Sequence, residues 1–235
     1  MSLRPGIRAV FLDIGGPVYD DENFLRAVLA ALDELLAEAG RPPADRDAVR
    51  AVYDRVRATQ AGSLRSALAA EVLGDAGLRG TLHERTRRHW VHPPGTMYAD
   101  VRPLLEALHG RVAVGVLANQ EATVVDALRR DGVADLVDVW GVSALVGHEK
   151  PSRELFEWAL DQAGTDPEHS VHVGNRLDTD VRPAAALGLG TAWVLRGEAP
   201  PEPTPAQLAE PDAVVRDLVE LRDLLLPLLD ARSRR

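Results

Sequence analysis

The sequence predicts an α/β fold, a Rossmann-like parallel sheet with helices on both faces and an inserted all-helical unit. Three observations predict it. From about residue 96 onward, short β-rich runs alternate with apolar stripes at helical spacing. A single strand pattern stands alone near the front of the chain. Between the two, residues 20–92 carry helical periodicity only.

The elements follow in order. Ile7, Val10, Phe11 and Leu12 form an apolar run that stops at Asp13-Ile14-Gly15-Gly16-Pro17, as a buried strand ending in a turn does. Four helices come next. Phe24, Leu25, Val28, Leu32 and Leu36 mark the first, and Val49, Val52, Tyr53 and Val56 the second. Leu64, Leu68 and Val72 mark the third, with Ser63 as its N-cap. Thr81-Leu82-His83-Glu84 reads as a capping box opening the fourth. His92-Pro93-Pro94-Gly95 closes this unit. Leu104, Leu105 and Leu108 then give a helix, 112–117 a strand, 121–130 a helix and 136–140 a strand. Leu155, Phe156 and Leu160 give a helix, Val171 and Val173 a short strand, and a helix runs to Gly188. Strand 191–195 follows. The Pro-rich stretch 197–211 reads as a stiff surface connection. Ala213, Val214 and Val215 suggest an edge strand, 218–229 a closing helix, and Arg232-Ser233-Arg234-Arg235 a solvated end. The expected division is a core of 1–17 and 96–235 with a helical cap of 18–95.

Composition narrows the function. The chain has 235 residues, 46% of them hydrophobic, enough for a sizeable core. A net charge of −9 argues against nucleic-acid binding. No apolar run reaches the length of a membrane span, and the start does not read as a signal peptide. A cytoplasmic setting is expected, with a small anionic metabolite as partner and a monomer or homodimer as assembly. The absence of cysteine excludes disulfides, thiolate metal sites and a thiol nucleophile. Of 27 basic residues, only Lys150 is a lysine. A site that needs a compact ammonium rather than a planar fork would use it there.

Ligands of open parallel α/β sheets bind beyond the carboxyl ends of the strands. Asp13, Ala118-Asn119-Gln120, Glu149-Lys150-Pro151 and Gly174-Asn175-Arg176-Leu177-Asp178-Thr179-Asp180 all fall there. One ammonium among several carboxylates suits a divalent cation and an anionic substrate.

The order of these segments resembles the haloacid dehalogenase superfamily, whose members carry an Asp-x-Asp-Gly-Thr segment, a Ser/Thr-Asn, a Lys and a Gly-Asp with a later acid. Asp13, Asn119, Lys150 and Gly174 with Asp180 match, and a helical cap after the first motif is a family trait. The resemblance implies a HAD-like hydrolase, a Mg²⁺-dependent phosphatase that forms an aspartyl-phosphate on Asp13. Lys150 and Asn119 would hold the phosphoryl group, and Gly15, Gly16, Ala118 and Gln120 would line the substrate. The metal would rest on Asp13, the Gly15 carbonyl, Asn175 and Asp180.

Three positions depart from the pattern. Gly15 replaces the general acid, whose loss costs about 10² to 10⁴ in rate. Ala118 replaces a hydroxyl, and Asn175 replaces a metal carboxylate. Asp20, Asp21 and Glu22 read first as N-terminal helix charges, with substitution for the lost acid as the alternative. Asp178 reads as a helix cap or as an assisting acid. Arg85, Arg87, Arg88 and His89 read as a solvated helix face, or as a grip on a second anionic group. Two alternatives to the phosphatase stay open: a catalytically impaired binding protein, and a metal-free dehalogenase-type C–X hydrolase.

Overall fold

The computed structural model describes residues 3–230. Strand β1 (Ala9–Leu12) is buried at all four positions. Helices α1 (Glu22–Glu38), α2 (Arg46–Thr59), α3 (Leu64–Leu68) and α4 (Arg79–His89) follow with no strand among them. Then α5 (Val101–Leu108) leads into β2 (Ala113–Ala118), and α6 (Thr123–Arg130) into β3 (Val139–Val142). Helices α7 (Ser143–Val146) and α8 (Arg153–Ala163) precede β4 (Ser170–Gly174). Helix α9 (Arg182–Leu187) precedes β5 (Gly190–Val194). Short α10 (Pro205–Leu208), β6 (Ala213–Val215) and α11 (Leu218–Asp230) complete the described chain.

The six strands form one parallel sheet in the order β3-β2-β1-β4-β5-β6. Central β1 lies between β2 and β4, with Leu12 in register with Val116 and Val173. The chain direction across the sheet reverses between β1 and β4, which opens a crevice at their carboxyl ends. Strand alternation fills both faces. Val10 and Leu12 pack with Val114, Val171 and the apolar stripes of α5 and α11. Ala9 and Phe11 pack on the other face against Leu155 and Phe156 of α8 and Ala184 of α9.

Helices α1–α4 keep a core of their own, with Val28, Leu32, Tyr53, Leu64, Leu68 and Leu82 packed together. The chain enters and leaves this unit side by side. The Asp20 N–H donates to the Thr96 carbonyl and the Tyr98 N–H to the Val18 carbonyl, both at 3.0 Å. A second attachment is buried Gln60, which ends α2 at a φ of 49°. Its side-chain oxygen accepts from the Leu177 N–H at 2.9 Å, and its amide donates to the Glu198 carbonyl at 2.7 Å. Nearby, the Arg57 guanidinium donates to the Ala199 carbonyl.

Three local expectations need correction. Strand β3 runs Val139–Val142 rather than 136–140, because Ala134–Leu136 coils into a 3₁₀ turn. Gly141 belongs to the strand because a side chain there would meet Leu117 and the Val116 carbonyl at 2.8 Å. No capping box forms at Thr81. Helix α4 already starts at Arg79, continuing a 3₁₀ turn (Ala76–Leu78) that Asp75 caps through the Gly77 N–H. Stretch 197–211 is not merely a surface connection. It contains α10, opened by a capping box of Thr204 and Gln207, and Gln207 donates to the Ala58 carbonyl of α2. The terminal Arg232-Ser233-Arg234-Arg235 lies outside the described residues. Among the described residues, no helix is long and apolar enough to cross a membrane.

Two glycines should respond oppositely to alanine. At Gly115 a Cβ would meet the Phe11 ring at 2.4 Å and Val139 at 3.3 Å. Gly115→Ala should destabilise by about 1–3 kcal/mol. Gly80 lies inside α4 with open space around its Cβ position. Gly80→Ala should stabilise by about 0.5 kcal/mol. Urea denaturation of both variants measures the two signs.

Candidate functional site

Asp13 follows the last residue of β1, and its N–H donates to the Val173 carbonyl at 2.8 Å. Its carboxylate reaches the Lys150 ammonium, with Nζ 2.9 Å from Oδ1. The same ammonium donates to Oδ1 of Asp180, so one cation bridges two acids. Asp180 is completely buried and Lys150 only 4% exposed. Asp180 is otherwise committed as well: Oδ1 receives His172 Nε2 at 3.0 Å and Oδ2 the Arg176 N–H at 3.0 Å. Gly174 makes this possible, since a Cβ there would lie 2.2 Å from Asp180 Cγ.

Burial pushes the Asp13 carboxyl up to about 6, against the pull of Lys150. Burial also works against the Lys150 ammonium, but the Asp13 and Asp180 charges outweigh it and hold its pKa above the ordinary lysine value. Burial would raise Asp180 too; Lys150 and His172 overcome it and keep the acid well below the usual carboxylate range. The site therefore rests on a charged lysine between a firmly ionised acid and a readily titrated one.

Asn119 is hydrogen-bonded to Lys150. Its Oδ1 accepts from the Lys150 N–H at 2.7 Å and its Nδ2 donates to the Lys150 carbonyl at 2.8 Å. Both ends of the amide are thus engaged with the Lys150 backbone, at a position that also lines the cleft. Ala118 is fully buried among core residues below the cleft and lines no substrate space. The Gln120 N–H is occupied by Ser143 Oγ at 3.1 Å. Its side chain lines the cleft instead, with Nε2 3.6 Å from where a Cβ on Gly15 would be.

The acids near Gly15 also separate. Asp20 caps the first turn of α1 through the Glu22 N–H. Asp21 caps nothing and turns its carboxylate into the cleft. Three glycines leave room for it. A Cβ on Gly15 would lie 2.9 Å from Asp21 Oδ1; one on Gly16 or Gly197 would lie 3.0 or 2.1 Å from Oδ2. Asn175 Nδ2 donates to Asp21 Oδ2 and to the Arg196 carbonyl, each at 3.3 Å. Burial, then the charges of Glu198 and Asp13, holds the Asp21 carboxyl well above its ordinary pKa. Asp178 is paired with Arg176 through both oxygens and caps no helix.

Of the expected metal set, Asp180 has both oxygens engaged by Lys150, His172 and the Arg176 N–H. Among the described residues, no three His, Cys, Asp or Glu side chains converge on a metal position. The Asp13 carboxylate, the Gly15 carbonyl and the Asn175 amide remain. These are hard oxygens with a single charge, a set that fits Mg²⁺, which retains water and fills its shell with substrate phosphate.

Asp13, Gly15, Asp21, Gln120 and Lys150 floor a cleft of about 420 Å³ under the helical unit. Phe24, Arg65, Arg79 and Trp90 form part of its wall on that side. Sequence reasoning missed Arg65, Arg79 and Glu198 as cleft residues, since charged residues are scattered throughout this chain. Three of the four basic residues it singled out are paired with acids outside the cleft floor. Arg85 pairs with Glu34 and Glu38, Arg87 with Glu84 and Glu121, and His89 with Glu34.

Known proteins resemble this chain in sequence and fold. A phosphoserine phosphatase of Thermus thermophilus is 30% identical over 92% of this chain and 91% of its own length. A pyrimidine 5'-nucleotidase of Escherichia coli is 32% identical over 93 residues, so the match spans only 41% of that protein. A predicted phosphatase from Clostridium acetobutylicum has the same fold, with a TM-score of 0.70 at 16% identity over 96% of this chain and all of that one. The haloacid dehalogenase-like hydrolase family matches residues 7–188, and the chain belongs to that family.

Proposed function

We propose that the protein is a phosphatase that cleaves a small phosphomonoester through an aspartyl-phosphate on Asp13. The observation that carries the reading is the Asp13 carboxylate, joined to the buried Lys150 ammonium at the floor of the cleft. The likeness to a phosphoserine phosphatase over nine-tenths of both chains supports phosphate-ester chemistry. We read 1–17 and 96–235 as the catalytic core and 18–95 as a cap over it.

In the first step an Asp13 oxygen attacks phosphorus and the ester P–O bond breaks. Lys150 offsets the negative charge that gathers there, and the Gln120 amide borders the same space. The leaving oxygen needs a proton that Gly15 cannot give. Asp21 stands against Gly15 and supplies it. In the second step Asp21 takes a proton from water, the water oxygen attacks phosphorus, and phosphate leaves with Asp13 restored. Mg²⁺, when bound to Asp13, the Gly15 carbonyl and Asn175, would add positive charge beside the phosphoryl oxygens.

Protein with Mg²⁺ should release phosphate from a panel of small phosphomonoesters, and Asp13→Asn should abolish that release by at least about 10³-fold. No release by the unaltered protein, or an equal rate in Asp13→Asn, rejects the reading.

Asp21→Asn should lose about 10² to 10⁴ in kcat with an alkyl phosphate. It should lose only a few-fold on the first step with dinitrophenyl phosphate, whose leaving group needs no proton. A burst of dinitrophenol measures that step.

Metal binding requires an ionised Asp13. Its carboxyl, raised to about 6 in the metal-free protein, is protonated below that pH. The half-saturating Mg²⁺ concentration should therefore rise about tenfold per unit as pH falls below 6. Asn175→Asp restores a charge to the set and should lower that concentration about tenfold at neutral pH. EDTA should remove the activity of both proteins.

A further inference from the structure

Two arginines of the cleft, Arg65 and Arg176, differ in what holds them. Arg176 is bonded to Asp178 through two nitrogens, to Glu198 at 3.4 Å and to the Gly62 carbonyl at 2.8 Å. Arg196 is paired with Asp100. Arg65 lines the same cleft, yet among the described residues its guanidinium has no carboxylate within ion-pair distance. Its Nη1 is buried without a hydrogen-bond partner. A buried, unpaired cation is costly, and burial lowers the Arg65 pKa for that reason. The side chain is nevertheless held in place. It starts in the first turn of α3, and its guanidinium carbon lies 5.6 Å from the centre of the Phe24 ring. Arg79, also on the cleft wall, adds a second positive charge.

We propose that Arg65 binds a second anionic group of the substrate, so that the natural substrate is a small phosphomonoester that also carries a carboxylate or another phosphate. This rests on the phosphatase reading and names its substrate class. The cleft has a carboxylate–ammonium pair at its floor and an unpaired guanidinium on its wall. Both would then be matched by one dianionic molecule, with its phosphoryl group at Asp13 and its second anion at the fork of Arg65. At about 420 Å³ the cleft suits a compact molecule. The same assignment explains why Arg65 lacks an internal carboxylate: a permanent partner would compete with the substrate.

The test compares three esters of similar size: phosphoglycolate, 2-hydroxyethyl phosphate and 1,2-ethanediol bisphosphate. The full chain should prefer one or both of the doubly anionic esters over the hydroxyethyl ester by about 10- to 100-fold in kcat/KM. The preferred ester tells a carboxylate from a phosphate. In Arg65→Met that ratio should fall to within about threefold of one, with Arg65→Lys between the two. If the hydroxyethyl ester is turned over as well as the others, or the preference survives Arg65→Met, the proposal is overturned. Calorimetric titration of the same esters into Asp13→Asn, with and without Arg65→Met, needs no turnover. Loss of the preference there supports the subsite even if phosphate release fails. Equal binding in both proteins overturns it even if release succeeds. Should Arg65→Met not fold, Arg65→Lys carries both arms.

Discussion

The ammonium of Lys150 between Asp13 and Asp180 is the constraint on which the rest of the site depends. Two buried or nearly buried acids share one cation, and each of the three charges would be costly alone. The surroundings are shaped to hold that cation still. Asn119 grips the lysine backbone on both sides, His172 and the Arg176 N–H fix Asp180, and Gly174 leaves the space that Asp180 fills. Sheet topology brings these groups together. Asp13, Asn119 and Gly174 stand at the carboxyl ends of three adjacent strands, β1, β2 and β4. An arginine in place of Lys150 would carry the same charge but would need more room in a site with almost none. That is a physical reason for a chain with 26 arginines to keep one lysine here.

A second constraint ties the helical unit to the sheet. The paired segments 18–20 and 96–98 form one attachment, and Gln60 with the 198–207 segment forms another. The helical wall of the cleft is thereby set against the floor. Asp21 lies close after the first attachment, so the turn that starts α1 also delivers a carboxylate beside Gly15. The glycines at 15, 16 and 197 have a shared meaning in this light: each leaves room for the Asp21 side chain.

Much of the fold was legible in the sequence because strand and helix periodicities change cleanly along the chain. The front strand, the four-helix stretch and the later alternation each leave a pattern that side-chain burial requires. β3 was misplaced because Leu136 and Val137 suit a strand by type, whereas Ala134–Leu136 coils into a 3₁₀ turn and the strand starts at Val139. Helix α10 was hidden by prolines that suit its first turn. At the site, Asp13 and Lys150 were legible from motif order. The spent amide of Asn119 and the buried methyl of Ala118 were not, because spacing places a residue at a strand end but does not say where its side chain points. Asp21 was visible as an acid and weighed as a helix charge; its orientation depends on glycines far apart in sequence, Gly15 and Gly16 on one side and Gly197 on the other. Arg65 had no local signal among so many arginines. What distinguishes it is a buried guanidinium nitrogen without a partner at the cleft, a property of the folded chain alone.

The central claim is that Asp13 carries the phosphoryl group and Asp21 serves the acid–base role that Gly15 cannot. Acid quenching during turnover of dinitrophenyl phosphate, followed by mass spectrometry of the peptide holding Asp13, tests it most directly. The account predicts a phosphoryl group on Asp13, at higher occupancy in Asp21→Asn, where water attack is slowed. Turnover with no modification of Asp13 in either protein, or a phosphoryl group on another residue, would contradict it.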